Sequence, residues 1–230
     1  MNQTSPTPDI RLISYLSVHR AIGILGLLLP FIMMLGGGLA NIPPRQSISD
    51  YYYTNMGSVF SGILCAVATF LFTYKGYDND KRLLSILTDN SVTNVAAICA
   101  VLVAFFPCGE IYTPIASNLG ITQQTVNTIH YASAGTLFAF LGIMSFFFFT
   151  ATANQTDPSQ ASVPMTPEKK TRNKIYRTCG LVMWITVVSI PVGRVLLCIP
   201  YYTLIGEAIC LLTFGFSWII KGKTFFKDAV

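Results

Sequence analysis

No charged side chain interrupts the run from Ala21 to Ala40. At a rise of about 1.5 Å per residue, a helix of that length reaches across roughly 30 Å of hydrocarbon. Comparable runs follow at Tyr51 to Tyr74, Leu83 to Phe106, Val126 to Ala151, Thr178 to Ile199 and Tyr201 to Ile220. Apart from tyrosines and cysteines, the titratable groups inside them are so few that they can be named: Asp89, His130, Arg194 and Glu207. A backbone in lipid must satisfy its own hydrogen bonds, and helices do so within one segment. The sequence therefore predicts an all-α, polytopic membrane protein, a six-transmembrane-helix bundle over 18–220 with a tail at 1–17 and a basic tail at 221–230. A secretory signal peptide is the rival reading of the first run, which is long for one.

Charged residues make up 11% of the chain, against about 25% in soluble domains. The formal net charge of +5 does not signal nucleic acid, because the basic residues collect where runs end rather than on one face with interleaved aromatics. Of the 15 Lys and Arg residues, all but Arg45 and Arg194 fall on one side if both termini are cytoplasmic. That asymmetry is the positive-inside signature. Lys75 to Arg82 is then a tight inner loop, Cys108 to Thr125 an outer loop free of Lys and Arg, and 152–177 a disordered cytoplasmic linker ending in a basic run. The sequons at Asn2 and Asn154 fall on the cytoplasmic side.

Cys65, Cys99, Cys179 and Cys210 lie inside apolar runs and read as small packing groups. Cys108 and Cys198 lie near outer run ends, where an oxidising compartment permits a bridge. Tyr51 to Tyr53 and Tyr74 are placed as interfacial aromatics. Asn90 and Asn94 are spaced for cross-helix hydrogen bonds, and Ala132, Gly135, Ala139 and Gly142 form a small-residue seam.

Chemistry concentrates toward the outer side. Arg194 lies five residues before the end of its run and Glu207 six after the start of the next, so both sit roughly 8–10 Å below that surface. A buried ion pair pinning the hairpin is one reading. His130, Asp50 and Glu110 share that side, and a polar pocket with an aromatic rim is the other. Asp50, His130 and Glu207 are the candidate acid/base groups; Ser49, Tyr52, Glu110 and Arg194 are candidate ligand-binding groups. Ser47 and Asp50 also have capping-box spacing. No phosphate loop, nucleophile elbow or metal-ligand spacing occurs, so neither a cofactor nor a metal is expected. Binding or remodelling of a lipid or amphiphile in that pocket, open to the outer leaflet, is the leading expectation; a small-solute or proton-coupled transporter or channel and a non-catalytic scaffold are the alternatives, and homo-oligomerisation stays open.

The segments Ser47-Ile-Ser-Asp-Tyr-Tyr-Tyr-Thr54, Phe72-Thr-Tyr-Lys-Gly-Tyr-Asp78, His130-Tyr-Ala-Ser-Ala134, Asn173-Lys-Ile-Tyr-Arg177 and Phe214-Gly-Phe-Ser-Trp218 resemble bacterial six-span membrane proteins of the DUF-998 type. More distantly, the order of Ile-Ser-Asp, Tyr-Lys, His and Glu is similar to the DRAM and Sfk families and the GPI-anchor remodelling proteins. The resemblance implies a multi-pass protein of a bacterial inner membrane with membrane lipids as partners, and carries Asp50, His130 and Glu207 over as functional positions.

Overall fold

The computed structural model of the chain describes residues 10–74, 87–109, 114–151 and 165–222. Every regular element among them is helical: α1 (Ile10–Leu39), a 3-10 turn (Ser49–Tyr53), α2 (Gly57–Thr73), α3 (Asp89–Phe105), α4 (Pro114–Leu119), α5 (Gln123–Ile143), α6 (Pro167–Pro191) and α7 (Tyr202–Lys221). Single π-helical turns, Met144–Phe148 and Val192–Leu196, prolong α5 and α6. Four stretches are long and apolar enough to cross a membrane: Leu16–Leu39, Gln123–Phe148, Pro167–Leu196 and Tyr202–Lys221. The chain is thus a helical protein built for a membrane. The apolar helices α2 and α3 have 17 residues each, about 26 Å of rise and the lower limit for a span.

The six long helices close into a ring in the order α1, α2, α3, α5, α6, α7 and back to α1. Glycines set its tightest joints. A Cβ on Gly23 would strike the Gly215 carbonyl, and one on Gly215 would strike the Gly23 carbonyl, so α1 and α7 touch backbone to backbone. Likewise a Cβ on Gly142 would meet Trp184, and one on Gly180 would meet Phe146 and the Gly142 carbonyl. The Trp184 indole Nε1 donates to the Ala139 carbonyl at 3.0 Å. One half of the small-residue seam therefore joins α5 to α6. The other half is open: nothing lies within 4 Å of a Cβ on Gly135, and Ala132 is exposed.

Several expectations change. The first helix begins at Ile10 and runs through Pro30 and the Gly36–Gly38 triplet to Leu39. Those glycines receive the following loop, since a Cβ on Gly36 or Gly37 would meet Met56 or the Tyr51 ring. Tyr51 is consequently in the core at 2% exposure rather than at an interface, and Tyr74 is equally buried. The segment expected as a linker is helical from Pro167, with proline at the first helical position and the Thr166 hydroxyl accepting from Lys169 N–H at 3.2 Å. Arg172 within it is buried. Asn90 is exposed and Asn94 half-buried, and among the described residues neither amide makes a cross-helix hydrogen bond. His19 and Asp89 meet in a buried cluster at the end of the ring opposite the 3-10 turn. Tyr74 donates to Asp89 at 3.4 Å, and the His19 ring lies 5.1 Å from Tyr74 and 5.3 Å from Trp218.

Candidate functional site

The site is assembled at the end of the ring that carries the 3-10 turn. The N-terminus of α7 has no side-chain cap of its own, because Tyr201 holds a left-handed conformation there with φ 57°. Its orphan donors are met from across the chain. Gln46 accepts twice, its carbonyl from Leu204 N–H at 2.9 Å and its side-chain Oε1 from Tyr201 N–H at 3.0 Å. In return Ile48 N–H donates to Glu207 Oε2 at 2.6 Å. The loop before the 3-10 turn is thereby fastened to α7, with Glu207 as its anchor.

The Ser-x-x-Asp spacing serves the 3-10 turn rather than α2. Ser49 N–H donates to Ser47 Oγ at 3.0 Å, the two hydroxyls lie 2.5 Å apart, and Ser49 Oγ lies 3.4 Å from Cys108 Sγ. The Asp50 carboxylate lies near the backbone of Ser47 and Gln46, whose N–H groups favour its charged form. Burial still pushes the Asp50 carboxyl above its ordinary value, against the pull of Arg194 and Arg45. Burial likewise raises the Cys108 thiol and pushes the Tyr53 phenol up to about 12, so both stay protonated.

His130 comes to the same place for a reason written in α3. The helix stops before Pro107 and ends with carbonyls that need outside donors. Ser61 Oγ donates to Ala104 O at 3.1 Å, Tyr53 OH to Pro107 O at 3.0 Å and Asn127 Nδ2 to Gly109 O at 3.1 Å. His130 Nδ1 lies 2.8 Å from Phe106 O. A carbonyl can only accept, so Nδ1 carries the proton in that bond.

Between α5, α6 and α7 lies a cleft of about 560 Å³. Its apolar walls are Ala134, Gly135 and Phe138 of α5 and Val187, Ile190, Pro191 and Val195 of α6 and its π-turn; Thr203 and Glu207 of α7 form the floor. His130, Tyr131, Arg194, Thr203 and Glu207 make one end polar. The cleft exists because α5 and α6 are clamped at Gly142 and Gly180 and part beyond, where Gly135 has no neighbour. A small void of about 40 Å³ adjoins it behind His130 and Glu207, with Ser49 in its wall.

Arg194 does not turn to Glu207. Its Nη1 donates to the Tyr131 hydroxyl at 3.3 Å, and its guanidinium carbon lies 5.6 Å from the centre of that ring. No ion pair joins Arg194 to Glu207 or Asp50 among the described residues.

Of the residues singled out from the sequence, His130, Arg194 and Glu207 share the cleft, and Ser49 lines the void beside it. Asp50 stands behind, in electrostatic reach of Arg194 and Glu207. Tyr52 is half-buried against Tyr53, with ring centres 5.4 Å apart, and lies outside the lining. Glu110 falls outside the described residues, as do both sequons. Cys108 and Cys198 are free thiols, one buried and one exposed. Tyr131, Thr203 and Gln46 were not anticipated. Tyr131 had a signal in its place beside His130; a glutamine in a polar loop has none. Among the described residues no three His, Cys, Asp or Glu side chains gather closely enough to hold a metal. Comparison with protein-family models, characterised proteins and solved structures gives no match.

Proposed function

We propose that the chain is a six-span protein of a bacterial inner membrane, with both termini cytoplasmic, that binds a lipid or other amphiphile in the cleft between α5, α6 and α7. The observation that carries this reading is the shape and polarity of the cleft. About 560 Å³ with an apolar body and one polar end falls in the range of small-molecule sites, and it accepts a head and the upper part of its chains. The surface around it suits acyl neighbours: Val188, Val195 and Leu196 on α6 and its π-turn are 69%, 66% and 73% exposed. The basic asymmetry supports cytoplasmic termini and, with that orientation, a cleft open to the outer leaflet. The motif likeness to six-span bacterial proteins agrees with this.

Binding is favoured over chemistry because the three candidate acid/base groups do not gather on the cleft: Asp50 lies outside its lining, and His130 Nδ1 is tied to Phe106. Passage through the bundle is disfavoured by the apolar walls of the adjoining void, among them Leu29, Phe60, Leu64, Val103 and Leu211. The test is native mass spectrometry of the purified protein beside Gly135→Trp. A Trp there enters open space, so the fold is kept and the cleft is filled. Wild type is expected to retain a lipid that the variant loses at equal folded yield. Equal retention would remove the cleft as the site.

A further inference from the structure

The two charged side chains of the cleft carry opposite signs and are not spent on each other. Arg194 is held by Tyr131, and Glu207 is held through one oxygen by Ile48 N–H. Arg194 is exposed at the cleft and Glu207 is half-buried in it, and neither has an ionic partner among the described residues, so a ligand entering the cleft can pair with both. A purely anionic ligand answers Arg194 but offers no donor to Glu207, which has Asp50 behind it. A purely cationic one has the reverse difficulty at Arg194. We infer that the cleft, on the lipid-site reading above, takes a zwitterionic amphiphile whose phosphate meets Arg194 and whose primary ammonium meets Glu207.

The choice of a primary ammonium follows from the lining. Glu207 and Thr203 present oxygen acceptors that N–H groups can fill. A quaternary ammonium has no N–H and is recognised instead by faces of aromatic rings. The aromatic rings in the lining are His130, which is tied to Phe106, Tyr131, whose face is already taken by Arg194, and Phe138 in the apolar body. The ligand class is thus a phosphoethanolamine amphiphile in preference to a phosphocholine or phosphoglycerol one. The apolar walls select the chain-bearing form over a free head.

The experiment measures retention of four dioleoyl lipids in native mass spectrometry: phosphatidylethanolamine, phosphatidylcholine, phosphatidylglycerol and diacylglycerol. Wild type is compared with Glu207→Gln, Arg194→Gln and Gly135→Trp, each checked for folded yield. The Gln at 207 keeps an oxygen for Ile48 N–H, so the loop stays fastened. Wild type is expected to prefer the ethanolamine lipid by about tenfold, the worth of one charge-assisted hydrogen bond. Glu207→Gln is expected to abolish the preference over phosphatidylglycerol, and Arg194→Gln to bring both phospholipids to the level of diacylglycerol. Glycerophosphoethanolamine, the same head without chains, is expected not to displace the lipid; displacement would reassign the site to a soluble zwitterion. Retention lost in Gly135→Trp with no head preference in wild type would overturn the zwitterion and leave the lipid site standing. Retention indifferent to Gly135→Trp would overturn both.

Discussion

His130 illustrates how a polar residue in a lipid-facing chain can owe its place to the end of another helix. α3 stops before Pro107, and His130 Nδ1 supplies a donor to the Phe106 carbonyl at its C-cap. His130→Ala strands that carbonyl and is expected to destabilise the fold by about 1–3 kcal/mol. His130→Asn can place its amide N–H near the same point and is expected to recover part of the loss, read as thermal unfolding in detergent. Asp50 makes a prediction of the opposite sign. Its carboxyl is raised above 3.8 by burial, so protonation favours the folded state: the contribution is full below the ordinary aspartate value and is lost as pH rises through the raised one. The unfolding temperature of Asp50→Asn, followed upward from the ordinary aspartate range, is expected to lack that part of the wild-type decline. A larger decline in the variant would mean that the backbone N–H groups near Asp50 outweigh its burial.

At the scale of elements, α5 meets α6 with two different faces of one seam, and substitutions should separate them. Gly142→Leu is expected to cost several kcal/mol or abolish folded yield, since Trp184 cannot move off without losing its bond to Ala139. Gly135→Leu is expected to leave stability within about 1 kcal/mol, since it meets open space. Four residues of small size at helical spacing announced a close approach, and nothing local said that it would stop halfway. The same limit applies elsewhere. The apolar runs were legible because charge is costly in lipid, and counting along the last two runs brought Arg194 and Glu207 to one level, where both line the cleft. The burial of Tyr51 was not legible, because it depends on Gly37 of a different helix, and the tie of Arg194 to Tyr131 depends on how α5 and α6 splay. The start of α6 was missed for a different reason: a Thr166–Pro167 cap outweighs a basic, polar composition that reads as linker.

For the molecule as a whole, orientation has a direct probe in Cys198, the exposed thiol at the site end. A membrane-impermeant maleimide applied to intact spheroplasts is expected to label Cys198, and Cys198→Ser to remove that label. Labelling only after lysis would invert the proposed topology. The ring itself has a consequence in time rather than in space. It is closed by its earliest and latest members, through the Gly23–Gly215 crossing and the bond from Arg20 Nε to the Gly222 carbonyl at 3.0 Å. A ribosome making this chain releases α1 into the bilayer long before α7 exists, so the glycine face of α1 must wait among lipids or on an insertion factor. Closure of the ring is then decided when α7 arrives, carrying both the glycine that meets α1 and the carboxylate that fastens the loop.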